Sequence, residues 1–511
     1  MDSFYIFSSS LVLFIFTLLM IKFHSITRTS NSSSGNKLPS PPSLPIIGHL
    51  HLLGSVIPKS FEALARIYGP LIQLRLGAST CIVVSNAQVA REVMKTHELN
   101  FCYRPNFGSS EYFLYKGSYF ITAPYGPYWR FMKKLCVTQL LSSSQLGRFM
   151  HIREQEIKKL LKSLMVCSKE GRECDLGFEL TTLTNNILCR MAMSTTTCLD
   201  NDDAVEIHGL VKEFLEVGAK LSIGEVFGRL GKLDLFGYGK KLVKIVAKFD
   251  CILERIMEEH EHGDGCDDDE ESTLDMMYIL LRVYRDPNAQ VRLTRNDIKA
   301  FFLDIFLAGT DTSSVALQWS MAEILNHPTI LKKLKAEIDG VVGSTRLVNE
   351  SDVPNLPYLQ AVVKEVLRLH PTAPFALRQS SEDCIINGFY VKAQTRTLIN
   401  VYAIMRDPQS WHNPQDFIPE RFLDHDQAND IIKTSVNDFR YIPFGFGRRG
   451  CPGSSLALTV IQATIAALIQ CFEWKIKGGD RVNMEEGSSF SAGLAKPLLC
   501  YPIISYNPFS L

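Results

Sequence analysis

The sequence predicts a mainly α protein with minor β-sheets, one large globular domain set behind an N-terminal membrane anchor. Three observations predict it. Apolar residues recur at helical spacing through much of the chain, in stretches such as 144–168 and 240–262, with Glu and Lys interleaved. One run, Leu293 to Pro328, is apolar on nearly every face and far longer than the ~11 residues of an ordinary helix. After residue 50 no long Pro/Ser-rich or charged linker divides the chain, although its 511 residues would fill about three average domains. Hydrophobic residues at 46% against 21% charged suit a filled core and exclude wholesale disorder. Lys plus Arg equals Asp plus Glu at 54 each, so no net field points to nucleic acid. Thirteen cysteines without a CxxC pair indicate neither a disulfide framework nor a zinc ribbon, and read as reduced thiols.

Residues 1–23 read as an uncleaved signal-anchor helix. From Phe4 to Ile21 the chain is uncharged and rich in Leu, Ile, Phe and Val. About 18 residues at ~1.5 Å each nearly cross a ~30 Å hydrocarbon layer. Lys22, Arg28 and Lys37 follow, and only Asp2 and the terminal amine precede, which by the positive-inside bias keeps the rest of the chain in the cytoplasm. A cleaved signal peptide would want a basic start and a small-residue cleavage site, and neither is evident. Residues 24–50 form a basic, proline-rich neck. Its "LPSPPSLPIIGHL", Leu38 to Leu50, is stiffened by proline and ends in apolar Pro45, Ile46 and Ile47, which can dock on the body at 51–511.

Within the body, "LIQLRLGASTCIVVS" at 71–85 alternates around a turn and reads as a hairpin. The acidic run Asp264 to Glu271 is a solvated loop, since it lacks the Gly and Glu placement of a calcium loop. The long helix is capped by Thr294 or Asn296 and stopped by Pro328. At its centre lie Ala308-Gly309-Thr310-Asp311-Thr312-Ser313, whose hydroxyls and carboxylate cost several kcal/mol to bury unless something polar meets them. A shorter helix carries Glu365 and Arg368 at i, i+3 among apolar neighbours, a pair expected to be half-buried. "CIINGFYVKAQTRTLINV" beyond Pro371 suggests a small sheet.

Cys451 stands in "RYIPFGFGRRGCPGSSLAL", Arg440 to Leu458, as a nucleophile, a metal ligand or a small buried residue. Glycines let backbone amides reach a sulfur, and a following helix N-terminus adds positive potential, so the loop is expected to favour thiolate. Pro452 suits a first helical position, Arg449 supplies a cation for a nearby acidic group, and Phe444 offers an apolar lid. A nucleophilic cysteine would want a histidine base, which spacing alone cannot select.

The pattern Phe444, Gly447, Arg449, Cys451, Gly453 resembles the haem-binding loop of the cytochrome P-450 monooxygenases. AGTDTS at 308–313 resembles that family's oxygen-activation segment, Glu365 and Arg368 its ExxR pair, and Pro419-Glu420-Arg421-Phe422 the segment whose arginine completes the network. "WRFMKK" at 129–134 resembles its haem-propionate helix, and the anchor with "PPSLPIIGHL" resembles the microsomal plant members. The resemblance spans essentially the whole chain and implies the cytochrome P-450 fold, haem b with Cys451 as axial thiolate ligand, and Glu365, Arg368 and Arg421 as structural support. It implies cofactor contacts from Phe444, Gly447, Arg449, Gly453, Trp129 and Arg378. Lys133 stands where the family most often has arginine, and can neutralise a propionate but not fork onto it.

Asp311 and Thr312 are then the catalytic pair, relaying protons through a hydroxyl and water. Thr310 is structural, while Thr312 or Ser313 bonding back one turn opens the helix locally. The implied pocket is apolar and lined by Phe107, Phe120, Phe301, Phe302, Phe306, Ala308, Gly309, Phe375 and Leu494, with Asn106 to Ile121 as a lid loop. The resemblance further implies O2, NADPH delivered through an NADPH-cytochrome P-450 reductase that meets Lys133, Lys134 and Arg448, and the endoplasmic reticulum membrane. Among plant members the wording resembles the group of flavone synthases, pterocarpan hydroxylases and triterpenoid oxidases. A triterpenoid or other terpenoid is the favoured substrate and a flavonoid or isoflavonoid the alternative. A reductase-independent haem-thiolate isomerase would need no proton relay, and a haem sensor would need neither pocket nor anchor.

Overall fold

The computed structural model describes residues 37–105, 112, 114–115, 117–193, 201–224, 234, 236–262, 275–423, 438–479, 481–487 and 492–509. The expected anchor, the acidic run at 264–271 and Phe107 lie outside them. The longer helices are α1 (Ile57–Tyr68), α2 (Pro127–Leu135), α3 (Met150–Lys169), α4 (Leu176–Met193), α5 (Asn201–Gly224) and α6 (Tyr238–His262). After them come α7 (Met276–Arg285), α8 (Arg295–Asn326), α9 (Pro328–Val342), α10 (Pro357–Leu369) and α11 (Ser454–Cys471).

The strands are short: β1 (Leu71–Leu76), β2 (Ser79–Val84), β3 (Cys174–Asp175), β4 (Phe375–Gln379), β5 (Cys384–Ile386), β6 (Phe389–Val391), β7 (Arg396–Asn400), β8 (Phe472–Ile476) and β9 (Leu499–Ile504). They form sheets ordered β1-β2-β7-β4, β3-β9-β8 and β5-β6. The expected hairpin is β1–β2, antiparallel with Leu76 opposite Ser79. A second hairpin, β5–β6, turns on Asn387 and Gly388 at φ 51° and 78°, the left-handed pair that matches strand twist.

α8 runs through the core against α4, α10 and α11. Thr294 caps it, accepting from the Asp297 amide while the Asp297 carboxylate accepts from the Thr294 amide at 2.8 Å. The helix ends at Asn326, and Pro328 opens α9, where its missing N–H costs nothing. Length and hydropathy alone would let α8 and α11 cross a membrane, but each is largely enclosed by protein and serves as a core helix.

The neck docks through its backbone. Gln73 donates to the Pro39 carbonyl at 2.8 Å, His49 to Arg75 at 2.7 Å, and Gly48 bridges to Leu76. Its apolar side chains behave contrary to expectation. Ile46, at φ 64° in the left-handed region, is 72% exposed, and Leu44 and Ile47 also face outward. The turn that satisfies the backbone points these side chains away from the body.

Candidate active site

The Cys451 loop folds back on itself before α11. Cys451 N–H donates to the Phe444 carbonyl at 2.9 Å and Gly450 N–H to Gly447 at 2.8 Å, with Gly445 and Gly447 at φ 70° and 68°. A Cβ on Gly447 would collide with the Glu98 carboxylate, which also accepts the Arg448 amide at 2.7 Å. Gly447 therefore serves the approach of Glu98 to the loop. α11 begins at Ser454 behind Gly453, so Pro452 precedes the helix and does not open it. Cys451 is accessible yet walled by protein, as expected of a side chain facing an interior opening. That wall pushes its thiol pKa up, although the Gly453 N–H and the nearby Lys133 pull it down. Burial thus opposes the Gly453 amide and Lys133 in setting the thiol, and a metal cation on the sulfur would add a strong pull toward thiolate.

Three guanidinium groups gather beside this loop. Arg449 donates to the carbonyls of Cys102 at 2.8 Å and Ala123 at 2.5 Å, and lies 4.4 Å from the centre of the Trp129 ring. Arg104 and Arg378 both donate to the Leu377 carbonyl, at 2.8 and 2.9 Å, and the Nε of Arg104 is buried without a partner. Among the described residues no carboxylate pairs with any of the three. Burial draws Arg104 and Arg449 down to about 10, repulsion from Arg104 adding to the effect on Arg449. Burial, then the charges of Arg104 and Arg449, draws Arg378 well below its ordinary range. Arg378, Arg448, Arg449, Glu98, Cys102 and Phe446 line a recess here, where Glu98 pairs with Arg448. Three clustered guanidinium groups, one buried and two half-buried, with only Glu98 within electrostatic reach of Arg378, carry excess positive charge, so the donor set fits an anionic group, such as the carboxylate edge of a flat cofactor. Arg104 escaped the sequence reading; its signal is an arginine in Tyr103-Arg104-Pro105, beside the strand-like bridge of Tyr103 to Gln379.

Lys133 does not join that cluster. Its ammonium donates to the Gly450 carbonyl at 2.7 Å, one peptide before the sulfur, because its position one turn beyond Trp129 aims it at the loop.

In the middle of α8, Ala308 is exposed and Leu307, Gly309 and Asp311 to Ser313 are half-buried, whereas 298–304 and 314–317 are buried. The helix faces an opening there. Thr312 Oγ1 donates to the Ala308 carbonyl at 2.6 Å, as expected, but the helix stays continuous and does not open. Asp311 lies within electrostatic reach of His208 on α5; burial and Lys212 draw that imidazole down while Asp311 draws it up.

The small residues serve a seam with α4. Thr184 Oγ1 donates to the Thr310 carbonyl at 2.9 Å, and Thr181 and Ser314 share a bond at 2.6 Å. Gly309 faces α4 rather than a pocket, since a Cβ there would sit 2.8 Å from Leu188 Cδ1. Gly309→Val is therefore expected to cost about 1–3 kcal/mol in denaturant unfolding, with Gly309→Ala milder because the leucine tip can swing aside.

Several expected wall residues are packing. Phe301, Phe302 and Phe306 are buried against one another, Phe120 and Phe249. Phe120 stacks on Trp129 at 5.8 Å. On α8 Ile305 and Leu307 are half-buried instead, as are Ala376, Leu377 and Leu494 on other segments, while half-buried Phe375 packs on Phe61 at 5.5 Å.

Asp304, not anticipated, is buried and accepts from the Ile121 amide at 3.0 Å, tying the end of the expected lid loop to α8. Burial raises its pKa to about 7, against two backbone amides that lower it. An acid with a raised folded pKa binds its proton more tightly when folded, so stability falls as pH rises from about 4 to about 7. Asp304→Asn is expected to flatten that part of the pH–stability curve, by on the order of 3 kcal/mol between pH 5 and 8, read from unfolding at the two pH values.

Glu365 and Arg368 are fully buried, not half-buried. Arg368 forks onto Glu365 at 2.7 and 2.8 Å and donates to Met405 and Pro414, while Arg421 Nε reaches the same carboxylate at 2.9 Å. Phe422, next to Arg421, packs on Tyr441 at 5.3 Å, and the Tyr441 hydroxyl donates to the Lys364 carbonyl at 3.2 Å. The network thereby reaches the segment leading into the Cys451 loop.

Comparison with known proteins agrees with this arrangement. Residues 38–501 match the family described as Cytochrome P450. Cytochrome P450 93A3 of Glycine max is 43% identical over 98% of this chain and 99% of its own length. The 3,9-dihydroxypterocarpan 6A-monooxygenase of Glycine max is 42% identical, covering 93% of this chain and 95% of its own. Beta-amyrin 24-hydroxylase of Glycine max is 41% identical, covering 92% and 93%. The structure of a zebra fish cytochrome P450 with progesterone superposes with a TM-score of 0.74 at 25% identity, over 87% of this chain and 99% of that one. Family membership implies a haem whose iron takes a cysteine thiolate, and the cysteine loop beside an uncompensated arginine cluster suits one. The chain belongs to the cytochrome P450 family, as a monooxygenase with close plant relatives.

Proposed function

We propose that this monooxygenase inserts one oxygen atom from O2 into a lipophilic plant specialised metabolite, with a triterpenoid skeleton as the favoured substrate. The observation that carries this reading is the pairing of Cys451, accessible at the foot of α11, with buried Arg378 and half-buried Arg104 and Arg449, none of which forms an ion pair with a carboxylate among the described residues. Cys451 would hold the haem iron through its sulfur, and Arg104, Arg378 and Arg449 would take the carboxylates of haem b, with the Trp129 ring holding Arg449 in place. When bound, the haem supplies the oxygen chemistry.

The chain's own residues bind, orient and deliver protons. The Gly453 N–H orients the sulfur. Glu365, Arg368 and Arg421 hold the segment that feeds the loop. Thr312 keeps its hydroxyl on Ala308 at the opening of α8, and Asp311 passes protons toward it from the His208 side. Thr312→Ala is expected to leave the ferrous carbon monoxide spectrum intact while product formation per NADPH falls about tenfold or more and peroxide rises. Full coupling in that variant would defeat the relay.

The substrate preference rests on the incompletely buried apolar side chains of Ala308, Ile305, Leu307, Ala376, Leu377 and Leu494, beside which Asp311 to Ser313 supply the polar groups of the α8 opening. A flavonoid brings several hydroxyls that would go unpaired against those apolar side chains, whereas a triterpenoid skeleton brings few. The pterocarpan relative, at 42% identity against 41% for the beta-amyrin relative, keeps an isoflavonoid as the second reading. Electrons come from NADPH through a membrane-bound reductase, with exposed Lys134 and Arg448 toward it; Arg448 is already tied to Glu98. The anchor places the enzyme on the endoplasmic reticulum with its body in the cytoplasm, and the outward Leu44, Ile46 and Ile47 suit that placement. Product profiling in reductase-containing membranes fed a terpenoid and flavonoid panel tests the reading. Exclusive conversion of flavonoids would overturn the substrate preference.

A further inference from the structure

Lys133 lies on the face of α2 that carries Trp129, one turn on. Trp129 meets Arg449 across that face, and Lys133 reaches the Gly450 carbonyl at 2.7 Å. The charges within its reach are the sulfurs of Cys136 and Cys451 and the guanidinium of Arg449. Three arginines already gather for the anionic-edge role that a cation here would serve, and their combined positive charge disfavours adding a fourth. The loop, by contrast, needs holding. Glycines at 445, 447, 450 and 453 leave its backbone with wide conformational freedom, and two of them adopt left-handed φ.

We propose that Lys133 is a positioning residue for the cysteine loop. Its ammonium pins the peptide that leads into Cys451 and sets a positive charge within electrostatic reach of the sulfur. The inference rests on Cys451 being the iron ligand. An ammonium suits this role because one donor satisfies the carbonyl while the compact charge still faces the sulfur. A planar guanidinium would spread that charge and seek a forked acceptor. A hydrogen bond from a charged donor is worth about tenfold or more in the equilibrium it controls.

The test uses the full-length, haem-loaded protein and the variants Lys133→Met and Lys133→Arg. Haem content, the ferrous carbon monoxide band, its rate of conversion to the thiol form on mild acidification, and the ferric/ferrous midpoint potential are read together. Lys133→Met is expected to keep haem content, convert about tenfold faster and show a more negative midpoint, because a positive charge that favours the reduced state is gone. Lys133→Arg restores most of the midpoint shift and less of the conversion rate. Lost haem content in Lys133→Met with an unmoved midpoint in the haem that remains would assign Lys133 to the anionic edge and overturn the proposal. So would unchanged values in every readout. A wild-type protein without a thiolate-type band would instead overturn the ligand assignment beneath it, and the two failures are thereby told apart.

Discussion

Cys451→Ala is expected to abolish the thiolate-type ferrous carbon monoxide spectrum and all monooxygenation, while the protein still folds. Alanine removes only a small side chain that already faces an opening, so packing loses little. What disappears is the electron-rich ligand. Cys136 and Cys102 are the nearest thiols by electrostatic reach or by the Arg449 contact, but both are buried and their thiol pKa values are raised, Cys136 to about 12. Neither can substitute. Spectra of the purified variant beside wild type decide the matter, and a surviving thiolate-type band would move the ligand elsewhere.

Glu365→Ala carries the second large effect. The carboxylate accepts both prongs of Arg368, the Nε of Arg421 and the Ile418 amide at 3.0 Å. Without it two guanidinium groups stand buried and uncompensated, at a cost of about 3–5 kcal/mol. That is a large share of the ~5–15 kcal/mol by which domains of this kind are stable. The expected outcome is a steep loss of folded, haem-retaining protein, measured as the ratio of haem absorbance to total protein after expression. Arg368→Ala should fall similarly, because Arg368 also holds the carbonyls of Met405 and Pro414. Wild-type haem retention in both variants would remove the network from its supporting role.

The elements were readable from sequence where one local pattern sufficed. The β1–β2 hairpin, the capped start of α8 and the helical stretches around 150–169 and 238–262 all stand close to their expected positions. Residue pairing across the fold was less readable. Periodicity placed Phe301, Phe302 and Phe306 on the central helix without saying that Phe249 and Phe120 would cover them. Composition marked Gly309 as small without saying that Leu188 would press against it. The amides and helix N-terminus expected to favour a thiolate at Cys451 are local, whereas the burial that opposes them comes from the rest of the fold. Lys133 was assigned by its place in a motif, whereas the reach of its side chain put it on Gly450. Arg104 went unnoticed because its meaning lies in two other arginines, 274 and 345 positions further along the chain, at Arg378 and Arg449.

The outward tip formed by Leu44, Ile46 and Ile47 bears on handling of the enzyme. A version shortened at its N-terminus to remove every residue before Lys37 keeps that greasy corner, since hydrogen bonds to β1 fix it. Such a protein should still partition into detergent micelles or self-associate at high concentration, and polar replacements at Ile46 and Ile47 are the substitutions that would let it behave as a freely diffusing monomer.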